Sequence, residues 1–259
     1  MSRTKRMSAR ARAAAQVVLC ALLASIATEP AAGEQFTVAG PLDHGYEYDI
    51  VVAGRRVGSY VVALQTARDG AEPTYTLRGR FVIGAGGVFG KRPIYEAVDT
   101  VSYDRAGLRT YRIDEDDNGV KTTVSGERSA DGRRIAVTIG AAAAATRKEI
   151  DTAAFDLTLF GLRFARPCGA AQVGNRSSLR LLVPRSGTPV TVHSTVREFG
   201  PRQLGAQTLA VCTIVTTGAD GKPIKESWVR PDGVMVYESS PEYTLTLKRE
   251  GTAALFDGS

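Results

Sequence analysis

Turn signals recur through this chain about every ten residues, a spacing that restricts it to short extended segments folded back on one another. Ala53-Gly54, Arg68-Asp69-Gly70, Asp104-Arg105-Ala106-Gly107, Asn118-Gly119 and Asp131-Gly132 punctuate its first half. Pro184-Arg185-Ser186-Gly187, Gly218-Ala219-Asp220-Gly221-Lys222 and Pro231-Asp232-Gly233 punctuate the second. Glycine and asparagine tolerate the left-handed backbone that tight hairpin turns need, and Asn-Gly is the strongest short-range hairpin signal. Between the turns, side chains alternate. Tyr46, Tyr48, Ile50 and Val52 fall on one side of a strand and Glu47 and Asp49 on the other, while Tyr75, Leu77, Phe81 and Ile83 share a face. A period of two marks a half-buried strand. The fold expected is mainly β: an antiparallel curved meander sheet, a half-barrel or open barrel, with strands near 45–54, 57–65, 74–84, 94–104, 108–114, 120–126 and 135–139. Further strands are expected near 178–183, 188–199, 207–217, 224–230, 234–238 and 243–249.

One stretch departs from this pattern. Wound as a helix, residues 150–164 place Ile150, Ala154, Leu157, Gly161 and Phe164 on one stripe and Phe155, Leu159 and Leu162 on the next. A helix with so broad an apolar surface should be buried. The expectation is one central apolar helix at about 150–164, capped by Asp151 or Thr152 and packed into the concave face of the sheet. The alternative is a pair of strands, because Phe155, Leu157 and Leu159 also alternate. Ala141 to Ala145 precede this stretch as either a helical lead-in or a low-complexity bridge.

Residues 1–33 read as a secretory signal: Arg3, Lys5, Arg6, Arg10 and Arg12 precede an apolar run from Ala13 to Ala27, with small residues at Ala31, Ala32 and Gly33. A run of 15 residues is short of the roughly 20 that a membrane span needs, so no stable span is expected after cleavage. An uncleaved N-terminal anchor is the alternative. Removing residues 1–33 takes away five of the 33 basic residues and one of the 27 acidic, leaving 28 against 26 and a net charge of +2. The basic balance therefore belongs to the targeting segment, and nucleic acid is not an expected partner. The remaining 226 residues are read as a single β-rich domain, 34–259, in the periplasm or outside the cell. In an oxidising compartment Cys168 and Cys212 are candidates for a disulfide, with two buried free thiols as the alternative.

Catalytic groups are sparse. The only histidines are His44 and His193, which makes a zinc site improbable on composition. Ser194 or Ser59 could join His193 and Asp156 in space, but no nucleophile elbow marks either serine. Asp151 and Asp156, five apart, would face different sides of a helix. The acidic run Glu115-Asp116-Asp117-Asn118-Gly119 lacks the spacing of a calcium loop and reads as a hairpin turn. Gly84-Ala85-Gly86-Gly87-Val88-Phe89-Gly90 lacks the following helix that a phosphate loop requires. No catalytic residue, metal or cofactor is assigned.

The landmarks Tyr46-Glu47-Tyr48-Asp49-Ile50-Val51 with Val57-Gly58, Gly107-Leu108 leading to Asp117-Asn118-Gly119, and Glu226-Ser227-Trp228-Val229-Arg230-Pro231-Asp232-Gly233 cover most of the chain beyond residue 33. In that order they resemble an uncharacterised group of secreted bacterial proteins, the domain of unknown function family 6134, and more distantly family 3108. The resemblance implies an exported β-rich protein and brings no activity with it. Two functions follow. In the first, the curved sheet holds a lipid or other apolar small molecule, as lipocalin-like half-barrels do, against Phe155, Leu159, Phe160, Trp228 and Tyr237. In the second, the protein is a non-catalytic interaction or structural module of the envelope, with a solid core and an envelope protein as partner. An apolar cavity between Phe155, Leu159, Trp228 and the sheet separates them.

Overall fold

The computed structural model describes residues 41–69, 72–84, 94–140, 145–158 and 168–253. Their strands are β1 (His44–Val52), β2 (Arg55–Asp69), β3 (Glu72–Ile83), β4 (Tyr95–Asp104), β5 (Gly107–Asp117), β6 (Val120–Arg128), β7 (Arg134–Ile139) and β8 (Thr146–Asp151). They continue as β9 (Leu157–Thr158), β10 (Arg176–Val183), β11 (Thr188–Leu204), β12 (Gln207–Gly218), β13 (Pro223–Val229), β14 (Met235–Ser239) and β15 (Thr244–Thr252). All fifteen belong to one sheet in the order β8-β7-β6-β5-β4-β3-β2-β1-β15-β14-β13-β12-β11-β10-β9. Every neighbour is antiparallel except β9, which runs parallel to β10 through Leu157 and Thr158. The meander expected from the turn spacing is therefore present, as one large curved sheet that is not closed.

The turns work as their residues require. Asn118 and Gly119 have φ of 53° and 89°, and Ala53 and Gly54 have φ of 50° and 75°. Two successive positive φ values give the turn whose twist matches that of the flanking strands. The acidic run is part of this hairpin: the Gly119 amide donates to the Asp116 carboxylate at 2.6 Å.

The expected central helix is not there. Residues 150 and 151 end β8, Thr152–Ala154 form a single 3-10 turn, and 157–158 are β9. Residues 159–164 lie outside the described residues, as do 1–33, 85–93 and 141–144, where the signal, most of the glycine-rich stretch and most of the alanine run were read. Two local features explain the described part of this departure. Ile150 sits opposite Ile135 in the β7–β8 ladder, and the Asp151 carboxylate accepts from the Ala153 amide at 2.8 Å, capping a turn that goes no further. The alternation of Phe155 and Leu157 takes over from there. Phe155 is buried. The segment carries the chain from one edge of the sheet, β8, to the other, β9.

One continuous core lies on the concave face, from Tyr46, Tyr48 and Ile50 on β1 through Ile135 and Val137 on β7 to Leu179 and Leu181 on β10 and Leu245 on β15. Across β1 to β4 it is organised by a row of rings: Tyr48, Tyr60, Phe81 and Tyr95, with successive centroids 6.2, 6.0 and 6.0 Å apart. Such spacing lies within the favourable range for offset and edge contacts. At Gly126 the backbone itself makes room, because a Cβ there would lie 2.0 Å from the Tyr111 ring. Among the described residues no helix is long and apolar enough to cross a membrane.

Candidate functional site

Alternation along β13 puts Lys225, Ser227 and Val229 on the core face and Glu226 and Trp228 on the outer one. On β14, Glu238 points inward and Tyr237 outward. The inward charges meet. Lys225 Nζ and Glu238 Oε2 are 2.5 Å apart, with both side chains 1% exposed. Glu238 Oε1 accepts from the Tyr243 hydroxyl at 2.8 Å, and Ser227 Oγ lies 3.4 Å from Oε2. On the adjoining strands Ser194 and Thr216 share a hydroxyl contact of 3.2 Å. A second inward carboxylate, Asp99 on β4, is buried against Gly79, where a Cβ would lie 2.4 Å from Oδ1.

The other concentration of polar groups lies where the sheet rolls onto itself. The β10–β11 turn, Pro184 to Gly187, touches strands from the opposite half. Arg185 bonds the Tyr95 hydroxyl and the Glu115 carboxylate, and its guanidinium carbon stands 5.7 Å from the centre of the Tyr95 ring. Burial pushes Glu115 above the ordinary carboxylate range, although the adjacent Arg185 charge opposes the shift. Burial likewise pushes the Tyr95 hydroxyl upward. The Tyr111 hydroxyl donates to the Pro184 carbonyl at 3.4 Å, and Lys148 Nζ donates to the Ser186 carbonyl at 3.0 Å. Nearby, the Tyr103 and Thr158 hydroxyls are in contact between β4 and β9.

The residues proposed from sequence to bind a ligand are not brought together. Phe155 joins the core, whereas Trp228 and Tyr237 stand on the outer face, stacked at 4.3 Å with an interplanar angle of 29°. Arg202 lies 5.8 Å from the centre of the Trp228 ring, and the indole nitrogen donates to Glu226 at 2.9 Å. This stack is a strut on the outside of the sheet, so Trp228 and Tyr237 cannot floor a cavity that Phe155 lines. Leu159 and Phe160 lie outside the described residues. Cys168 and Cys212 are bonded, with Cα atoms 5.9 Å apart, which ties the chain before β10 to the base of the β11–β12 hairpin.

Nor do His193, Ser194 and Asp156 converge. His193 is exposed while its neighbour Ser194 faces the core, and Asp156 is held by the Arg180 guanidinium at 2.6 Å. Two open grooves flanked by described residues, of about 640 and 400 Å³, lie on the outer surface. The larger runs past Gln65, Thr76, Arg78 and Thr100, positions that alternate with the core residues Leu64, Leu77 and Val101. Sequence reasoning missed Lys225, Glu238 and Arg185. For the first two a signal existed: opposite charges on two short strands joined by the Pro231-Asp232-Gly233 turn. Arg185, in a turn, carried none.

No protein-family model matches the chain, and no curated protein matches it. Among solved structures it is similar to a beta-barrel-like protein of the domain of unknown function DUF1849 from Brucella abortus. That match has 14% identity and a TM-score of 0.54, and it covers 83% of this chain and 99% of that one. A DUF1089 family protein from Pseudomonas aeruginosa matches at 15% identity over 70% of this chain and 89% of its own, with a TM-score of 0.36. A Bacteroides fragilis protein with a YmcC-like fold matches at 8% identity over 85% and 100%, with a TM-score of 0.33. The first likeness establishes a shared fold alone, and the other two carry no argument. None of the three names family 6134. The comparisons thus support the coarser statement, a β-barrel-like fold of the kind found in domains of unknown function.

Proposed function

We propose that this chain is an exported, non-catalytic module of the cell envelope that meets its partner, an envelope protein, with the outside of a filled β-barrel-like body. The observation that carries this reading is the state of the interior. A void wide enough for water would leave accessible surface on the side chains around it. Ile50, Tyr60, Phe81, Ile113, Ile214 and Leu245, spread around the concave face, are each 0% exposed. Export is supported by the Cys168–Cys212 bond, since disulfides persist in oxidising compartments, and by the basic and then apolar character of residues 1–33. The non-catalytic assignment rests on the separation of His193 from Ser194 and on the commitment of Asp156 to Arg180. Membership of the domain of unknown function family 6134 belongs to the same proposal and rests on the strand and turn motifs alone.

A second reading, carriage of a lipid or other apolar small molecule, is favoured by one observation. The concave wall is built of tyrosines and aliphatic side chains, and the two sheet edges are joined by no hydrogen-bonded ladder. Native mass spectrometry of the oxidised protein from its own compartment separates the readings. The filled-body reading expects the polypeptide mass alone and the same melting temperature before and after extraction with organic solvent. An apolar molecule that co-purifies, and whose removal lowers the melting temperature, overturns it in favour of carriage.

A further inference from the structure

A sheet that rolls almost into a barrel without closing must be held at its seam by something other than backbone. Here the edges are β8 and β9, and the chain between them crosses in five residues. Arg180 fastens that crossing to β10: its guanidinium bonds Asp156 at 2.6 Å and the Ala153 carbonyl at 2.7 Å. The rest of the seam is fastened from the β10–β11 turn. Three side chains from the opposite half, Tyr95, Glu115 and Tyr111, engage Arg185 or Pro184, and Lys148 on the edge strand β8 engages Ser186. Gly187, with φ of 59°, rests against Ile150, where even a Cβ would come within 3.2 Å of Cδ1. Every one of these bonds ends on a side chain.

We propose that the Pro184–Gly187 turn is a latch, that Arg185 is its principal fastening, and that its release opens the seam between β8 and β9 locally, ahead of global unfolding. Regions held by few bonds open at lower free energy than the ladders of the body, and they do so as contiguous units. Arg185 holds the only charge-assisted contact in this turn among the described residues, with its partner Glu115 largely withdrawn from water: the two side chains are 20% and 10% exposed. Once the turn lifts, Tyr95, Tyr111 and Ile150 become reachable from outside. The latch goes beyond the filled-body reading and stands whether or not a cargo exists, because opening concerns the seam and not what passes through it.

The test is native-state hydrogen exchange on the full, oxidised protein, together with binding of the dye anilinonaphthalene sulfonate. Removing a charge-assisted bond of this kind should speed opening about ten- to a hundredfold. Arg185→Ala is expected to raise exchange by that factor in the β7–β8 and β9–β10 ladders and to raise dye fluorescence. Amides of the β1–β15 ladder, around Tyr48 and Leu247, should be unchanged. Arg230→Ala removes an arginine bonded to Asp232 and Glu250 away from the seam, and should leave seam exchange at the wild-type rate. Glu115→Gln keeps an acceptor without its charge and should give an intermediate rate; it also serves if the alanine variant does not fold. Equal acceleration of the seam and the β1–β15 ladder by the Arg185 and Glu115 variants would show a stabilising contact only and overturn the latch, as would a seam indifferent to both.

Discussion

Replacing Lys225 with methionine isolates the energetics of the charge pair buried in the wall of the fold. The substitution keeps side-chain length and removes the ammonium that stands 2.5 Å from Glu238. The carboxylate then keeps the Tyr243 hydroxyl at 2.8 Å and the weaker Ser227 contact at 3.4 Å, both neutral, with its side chain only 1% exposed. Stranding one member of a buried pair costs about 3–5 kcal/mol. With a urea slope of about 3 kcal/mol per molar, the upper end for a small domain, the midpoint should fall by about 1–1.7 M. Removing both charges, as in Lys225→Met with Glu238→Leu, takes away the desolvated ions together. That variant should lie within about 2 kcal/mol of the wild type, although Tyr243 and Ser227 lose an acceptor. The double-mutant cycle should therefore return a coupling above about 2 kcal/mol. Urea unfolding followed by circular dichroism and by tyrosine fluorescence, with the disulfide intact, reads all four proteins. A single-variant loss below about 1 kcal/mol, or a double variant as damaged as the sum of the singles, would refute the argument that these charges are desolvated and stabilise each other.

Three further outcomes are expected. Gly126→Ala drives a methyl group into the Tyr111 ring and should cost about 1–3 kcal/mol, read as a lowered melting temperature, whereas Gly132→Ala, in an open turn, should disturb no ring. Replacing Cys168 and Cys212 together with serine opens a loop with a sequence separation of 44 and should cost about 4 kcal/mol on the chain-entropy account; an unchanged urea midpoint would contradict it. Stability should peak on the mildly acidic side. At Asp104 and Asp232 burial opposes ionisation, but hydrogen bonds from Arg128 and Arg230 outweigh it and hold both carboxyls below their ordinary values. Their stabilisation is present above the unfolded value, about pH 4, and is lost as pH falls through the folded values. Glu115 is raised by burial, so its contribution runs the other way and is lost as pH rises through its folded value. Melting temperature against pH should thus fall on both sides of a maximum, and Glu115→Gln should flatten the less acidic flank alone.

Strand identity was legible because it is local. A two-residue alternation and an Asn118-Gly119 pair need only their own neighbours to define a hairpin, and the sheet follows the turn spacing closely. Stretch 150–164 was not legible, because an apolar run satisfies both a helical stripe and a strand alternation. Which is adopted depends on what lies beside it. Here Ile135 stands beside Ile150, and the chain must then cross from one edge of the sheet to the other.

Facing was harder still to read. In Ile224-Lys225-Glu226-Ser227-Trp228, polarity alone would send Trp228 inward and Lys225 outward, and the opposite occurs. A strand's alternation establishes two faces but does not say which one the rolled sheet will enclose. Lys225 can face the core because Glu238 and Tyr243 arrive there from other strands, and Trp228 can stay outside because Tyr237 and Arg202 cover its ring. Neither partnership exists until the strands are aligned. The chain thus encodes its strands and turns within a few residues, whereas inside and outside, the buried charge pair and the fastening of the seam arise only from contacts between segments far apart along it.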